Sequence, residues 1–524
     1  MPFLGTMFLS AAPEVKLVRA FQEPFRNAVA TARTCYSGSG IIADPELDER
    51  TTRIAQSIYA AGHHTTLQHA HFQFTLANVS RHFLWSFLHS HPFYNSEQVS
   101  QRYVRVKPET FAVPPLEGRC LDIYLEAVRR QQQRYEALIT LLEPLVAEAY
   151  YGIFPARRKR PRNNVPRAQR DVRKKAQEMA RYVLPVATFA YLYHTVSGIT
   201  LLRYYRLCQE GDCPLEQRLV VGAMVEELLN FDPNYRLILE EPLEALPYEE
   251  PGAASLGPRR IDCQRAREFT AEFDAALGGL CSRLIDAKPE NEPILADAVR
   301  GVLGLSRGRL SDDAAIALVL DPARNPILGE TLNLTTLSKL SRALSHPSYT
   351  FRKKLSHTAD SQNQRHRMTP ASRPCLAAHF TGEPDYVTPP LVRRDAAAAD
   401  LYRTSMEESW QAMRQLLDAG TPAEFALYLL PNATAVRFTE SADLLNLHHK
   451  HAMRLCYNAQ EEIWQASVEE ARQISQVNPR IGRYLLPPCT LRVMAKTRPI
   501  CPEGDRFCGV KVWSLKLDDY QRVI

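Results

Sequence analysis

Gln362-Asn363-Gln364-Arg365-His366-Arg367-Met368-Thr369-Pro370 sets a cation cluster at what reads as the end of a helix. Two guanidiniums flanking an imidazole are costly to bury without anionic or electron-rich partners, so the triplet either lies on a solvated face or holds an anion. Gln362, Asn363 and Gln364 add amide donors. Pro370 stops the helix directly afterwards, which leaves the cluster at the mouth of a loop.

The frame of this stretch recurs in the N-terminal half. Ser90-His91-Pro92-Phe93-Tyr94-Asn95-Ser96-Glu97-Gln98-Val99-Ser100-Gln101-Arg102-Tyr103 fits it, with the Arg-His-Arg end degraded to Ser-His-Pro and a Ser-x-Arg-Tyr end intact. In the later stretch Arg365-His366-Arg367 is intact, and Pro370, Ser372 and Cys375 interrupt the remainder. Together the two stretches resemble the signature R-H-R-x-x-S-x-N-E-x-S-x-R-Y of the flavin-dependent thymidylate synthases. The resemblance implies that the first half of the motif contacts a flavin and the last half holds the phosphate of deoxyuridylate. The chain then reads as two copies of one domain, each keeping a different half. The fold implied is α+β, two tandem copies of a twisted antiparallel sheet with helical segments. The expected divisions are 1–248 for the first thymidylate synthase-like domain, 249–260 for a linker rich in Pro and Gly, 261–500 for the second domain and 501–524 for a C-terminal tail.

At 524 residues the chain is long enough for two domains that each bury a core. Its 45% hydrophobic and 23% charged residues are ordinary for a globular protein, and no run of apolar residues is long enough to span a bilayer. Met1 to Pro13 lacks the basic start of a signal peptide, so the cytoplasm is the expected compartment. Eleven cysteines without C-x-x-C spacing signal neither a zinc site nor a redox pair. A net charge of +6 suits an anionic small molecule as well as nucleic acid.

From Val15 to Ala61 the pattern is mostly helical, broken at residues 30–38, where Cys35 stands in place of a serine usual in the family. His63-His64-Thr65-Thr66-Leu67-Gln68-His69 follows, then a strand from His71 to Leu76. The family's H-x-T-P-x-E-H loop touches flavin; Thr65 matches it and Gln68 replaces the Glu. The histidines alone also fit a polar loop or a metal cluster, and no acidic or cysteine ligand nearby supports a metal. Ser80 to His89 reads as a packed helix carrying Phe83, Leu84, Phe87 and Leu88, and Cys120 to Tyr151 as a long helix. Ala156 to Lys175, crowded with Arg157, Arg158, Lys159, Arg160, Arg162, Arg167, Arg170, Arg173, Lys174 and Lys175, reads as a solvated, mobile loop rather than a nucleic-acid groove, because no aromatics interleave the cations.

Ala180-Arg181-Tyr182-Val183-Leu184-Pro185 resembles the family's A-R-x-x-L-P, whose Arg helps hold the nucleotide. In the second copy Ala426 to Phe438 resembles the same block, but Leu427 replaces that Arg. A further Arg that polarises the uracil is expected twenty-three positions after the Leu-Pro anchor. Counting from Pro431 reaches Arg454, just before Asn458-Ala459-Gln460-Glu461-Glu462-Ile463; counting from Pro185 reaches Cys208, with Arg206 two residues away. A helix rotates by about 200° over two residues, so Arg206 is expected to point elsewhere.

The resemblance therefore implies one complete site per chain. Gln98, Ser100, Arg102 and Arg181 of the first copy and Gln362, Arg365 and Arg454 of the second are expected at deoxyuridylate, with Arg454 catalytic. Thr65, Gln68, Arg365, His366 and Arg367 are expected at FAD. A second composite of Ser90, Pro92 and Cys208 with Cys375 and Leu427 is expected to be inactive. The activity implied is C5 methylation of dUMP to dTMP, with methylenetetrahydrofolate and NADPH as co-substrates, FAD as cofactor and no metal. Two fused copies fill the places of two subunits of the family's tetramer, so a homodimer acting as a pseudo-tetramer is expected, with neither membrane nor nucleic acid as partner. The alternatives are one-carbon transfer to another pyrimidine nucleotide and a nucleotide- or flavin-binding pseudoenzyme.

Overall fold

The computed structural model describes residues 8–43, 48–90, 92–155, 161–209, 213–243, 261–522 and 524, and for 161–166 the backbone alone. His91, Arg157 to Arg160 and the expected linker 249–260 lie outside these residues.

Two four-stranded antiparallel sheets share one topology. Strands β1 (Glu14–Ala20), β2 (His71–Ser80), β3 (Tyr94–Gln98) and β4 (Phe189–Ser197) are ordered β1-β2-β4-β3. Strands β5 (Ser282–Ala287), β6 (Ser348–Ser356), β7 (Ala371–Ser372) and β8 (Ala435–Asp443) are ordered β5-β6-β8-β7. In β2 the alternation that marks a half-buried strand is plain: Phe72, Phe74 and Leu76 are buried between His71, Gln73 and Thr75. The first copy also contains α1 (Pro24–Thr34), α2 (Glu49–Ala60), α3 (Arg81–His89), α4 (Gly118–Ile153), α5 (Pro161–Ala180), α6 (Gly198–Arg206) and α7 (Leu215–Phe231). The second contains α8 (Cys263–Leu277), α9 (Asn291–Leu303), α10 (Asp312–Leu320), α11 (His357–Asn363), α12 (Ala396–Asp418), α13 (Leu444–Arg454) and α14 (Glu461–Val477). Among the described residues no helix is long and apolar enough to cross a membrane.

The copies meet across a local two-fold. Val186 and Ala187 donate backbone hydrogen bonds to Leu430 O and Tyr428 O, and Asn432 and Ala433 return them to Leu184 O and Tyr182 O, all at 2.8–3.0 Å. The hydroxyl of Tyr182 donates to Glu462 on α14 at 2.8 Å, and that of Tyr428 donates to Glu216 on α7 at the same distance. Each glutamate in turn accepts from the serine that caps the helix after the second strand of a sheet, Ser80 from α3 and Ser356 from α11. Those caps are sequence-local: Ser80 Oγ accepts from Phe83 N and Ser356 Oγ from Ala359 N. Helices α4 and α12 pack together, Arg134 pairing with Glu408 at 2.8 Å, so apolar residues of both copies form one continuous core.

Two expectations fail. Val15 to Ala20 is strand rather than helix; Val15 and Leu17 pack against the core while Lys16 and Arg19 face solvent. From residue 161 on, the basic run is no loop, since Pro161 to Ala180 is helical. Ala168, Val172, Ala176 and Met179 are all buried and lie four, four and three residues apart, which is the stripe that packs α5 on α4 beside Leu142, Val146 and Tyr150. Arg173 pairs with Glu143 at 3.0 Å on the outer side. Composition conceals the stripe because cations outnumber the apolar positions.

Candidate active site

All seven residues expected at the nucleotide line one cavity of about 350 Å³ between the copies. Gln98 ends β3, and Ser100, Arg102 and Tyr103 follow it in the turn beyond. Ser100 Oγ accepts from Arg102 N at 3.2 Å. The Arg102 guanidinium donates to Glu178 at 2.9 Å and across the copies to Asn458 O at 2.9 Å. Burial works against the charge on Arg102, but Glu178 more than offsets this and raises its pKa. Arg181 Nη2 donates to Gln460 Oε1 at 3.0 Å, and Gln362 donates to the same oxygen. Arg454, the last residue of α13, donates to Gln362 O at 2.8 Å.

Five guanidiniums line this cavity, Arg81, Arg102, Arg181, Arg365 and Arg454, against the single carboxylate Glu97. The Nε groups of Arg81, Arg181 and Arg454 are buried with no partner among the described residues. Burial lowers the pKa of Arg81 to about 9 and of Arg454 to about 10, and neighbouring guanidiniums add to both shifts. A cavity that desolvates like charges in this way is electrostatically complementary to an anion. Arg81 is absent from the residues chosen on sequence. Its available signal was position: a cation in the first turn of a helix opposes the macrodipole and needs another reason to be there. It donates to Gln98 Oε1 and Val99 O, steadying the turn that carries Ser100.

A second cavity of about 590 Å³ shares Glu97, Arg365 and Arg454 with the first. Arg365 to Thr369 line it, opposite Tyr94, Tyr193 and Thr195 of the first copy's sheet, with Asn446, His449 and Met453 of α13. Arg365 pairs with Glu97 at 2.8 Å. Arg367 lies 5.0 Å over the Tyr94 ring and donates to Asn95 Oδ1 at 3.2 Å. His366 Nε2 is buried with no partner among the described residues, and burial, aided by Arg454, holds its pKa well below the usual histidine value. A flavin fits this donor set: an aromatic wall, an unpartnered imidazole nitrogen and cations at one end. Thr65 and Gln68 are not brought here. Both are exposed on the turn before β2, and neither lines the cavity.

The two-fold counterpart of the cation-lined cavity is filled. Strand pairing sets Ser96 against His194 and Ala371 against Glu440, positions that correspond in β4 and β8, and the same register matches Ser100 with Cys375 and Arg102 with Ala377. Ala377 and Leu427 are buried in the shared core with Trp85. Asp360, fully buried on α11, accepts from Trp85 Nε1 at 2.8 Å and takes a two-pronged pair from Arg373 at 2.8–2.9 Å. Burial opposes the Asp360 charge, yet Arg373 and His89 hold its pKa below the usual carboxylate range. Cys208 is buried just beyond α6, and Arg206 is turned to Glu240, at 2.9 Å, and to Glu241 O. Ser90 and Pro92 border a separate cleft of about 200 Å³.

Known proteins agree with this duplication. The family model described as thymidylate synthase complementing protein matches residues 16–234 and again 283–480. The flavin-dependent thymidylate synthase of Geobacter sulfurreducens is 33% identical over 169 residues, 32% of this chain and 70% of that protein. That of Nitratidesulfovibrio vulgaris is 32% identical over 185 residues, 32% of this chain and 71% of its own length. The protein of the same name from Clostridium tetani is 26% identical over 226 residues, 42% of this chain and 84% of its own length. With one family model matching two segments that together cover most of this chain, and each segment holding one of the two sheets, the chain belongs to the family of thymidylate synthase complementing proteins.

Proposed function

We propose that the chain is a flavin-dependent thymidylate synthase that methylates dUMP at C5 to give dTMP, using methylenetetrahydrofolate and NADPH. The observation that carries this reading is the gathering of Gln98, Ser100, Arg102, Arg181, Gln362, Arg365 and Arg454 around one cation-rich cavity that adjoins the Arg365-His366-Arg367 cavity. The phosphate of dUMP meets the Ser100 hydroxyl and the guanidiniums of Arg102 and Arg181. Arg454 borders both cavities and stabilises the negative charge that develops on the uracil as C5 becomes nucleophilic. No protein nucleophile is required for this. FAD is held by Arg365, His366 and Arg367, and when bound it supplies the one-carbon relay and the hydride.

In the same reading, domains 1–248 and 261–500 supply complementary halves of one site, and the protein acts in the cytoplasm as a homodimer. Thr65 and Gln68, exposed and away from their own chain's cavity, serve the flavin of the second chain. An absorbance spectrum of the purified protein followed by titration with dUMP tests the proposal. Flavin bands that shift on adding dUMP are expected. Colourless protein that gives no fluorescence change with added FAD overturns it, and flavoprotein that answers to another pyrimidine nucleotide instead moves the substrate assignment.

A further inference from the structure

Three consecutive residues between α13 and α14 are held by the C-terminal segment. Tyr457 Oη accepts from Gln521 N at 3.1 Å, Asn458 Nδ2 donates to Arg506 O at 2.7 Å, and Ala459 O accepts from Arg522 Nη1 at 2.6 Å. The same short loop is tied on its other side to the nucleotide cavity, through Asn458 O to Arg102 and through Gln460 Oε1 to Arg181 and Gln362. Arg454 stands at the loop's opposite end. The family match stops at residue 480, so this segment lies beyond what the family model describes.

We propose that residues 503–522 are a working part of the nucleotide site: they clamp loop 455–460, and so set the guanidiniums of Arg102 and Arg181 for an anion, with Arg522 as a positioning residue that touches no substrate. The argument is one of geometry. Two cations from the first copy find their cross-copy acceptors on the six-residue stretch 455–460 of the second, and that stretch has little regular structure of its own to fix it. A misplaced acceptor costs bound phosphate rather than chemistry, because the clamp acts on binding cations.

The inference rests on the nucleotide reading above, and the test separates the two. Arg522→Ala in the full chain should raise the KM for dUMP about tenfold, the scale of one charge-assisted hydrogen bond, with kcat and flavin absorbance kept. Arg300→Ala, which breaks a half-buried pair with Asp312 that touches neither loop nor cavity, should leave KM unchanged. An unchanged KM in Arg522→Ala, or an equal rise in both variants, overturns the clamp. If Arg522→Ala does not fold, Arg522→Met, which keeps an apolar stem and removes the donor to Ala459 O, should give the same rise, and failure to do so overturns it. If the parent shows no response to dUMP, the nucleotide reading falls, and hydrogen exchange decides the clamp: amides of 455–460 should exchange faster in the variant, and equal rates overturn it.

Discussion

Arg454 gives up water on burial and donates to Gln362 O, while its Nε has no partner among the described residues. Arg206, with two glutamates for company, has no such unmet demand. Arg454→Ala should therefore remove about 2.7–4 kcal/mol of transition-state stabilisation and lower turnover about a hundredfold, whereas Arg206→Ala should leave steady-state kinetics unchanged. Equal loss in the two variants would refute the register between the copies. Restoring the missing cation on the other side should fail: Leu427→Arg places a charge among Trp85, Tyr428 and Leu429 in an apolar core whose buried carboxylates are already engaged, Asp360 by Arg373 and Trp85 and Glu216 by Ser80 and Tyr428. It should lower the denaturation midpoint and create no second site. These side chains were legible in the sequence because short blocks carry them at countable spacing. Arg81 was not, since its role comes from the turn it steadies rather than from a block of its own. Thr65 and Gln68 do not line the cavity of Arg365 to Thr369 within the chain, because a match of spacing along a chain does not say which elements the fold brings together.

Helix α11 works on two fronts. Ser361 and Gln362 line the nucleotide cavity, while Asp360 is locked to Arg373 and Trp85 on the filled side. The filled counterpart is thus a foundation for the helix that presents Gln362 and Arg365. Asp360→Ala should cost about 3–5 kcal/mol in denaturant unfolding, because the Arg373 fork loses its buried carboxylate. The pH dependence has a definite sign. The folded-state pKa of Asp360 is depressed, so its contribution is present above the unfolded carboxylate value, about 3.9, and is lost as pH falls through the folded value. The stability gap between parent and Asp360→Asn should accordingly be flat at neutral pH and narrow in strong acid. A gap that widens in acid would contradict it. Elements with a local signature, such as the alternating β2 and the serine-capped α3 and α11, are readable from sequence. Helix α5 and the Trp85–Asp360 contact, between residues 275 apart in the chain, depend on what packs against them and leave no local trace.

At the scale of the whole molecule, the two-fold hydrogen bonds between 182–187 and 428–433 bind the copies face to face, while the cavities on either side have parted company. A homodimer should carry one flavin per chain, two in all. Light scattering combined with flavin absorbance checks this, and four dUMP-responsive flavins per dimer would refute the half-site arrangement. The continuous core of α4 and α12 bears on how such a protein persists. Were the copies separate gene products, random pairing would assemble like with like as well as unlike, and like pairs would lack one half of every site. Covalent fusion fixes the ratio at one to one and holds each copy beside its complement at an effective concentration of about millimolar. Losses that would be fatal in a free subunit become silent once the neighbour on the same chain covers them. Each silent loss then makes the fusion harder to undo, so on the proposed half-site reading the two halves become hereditary partners.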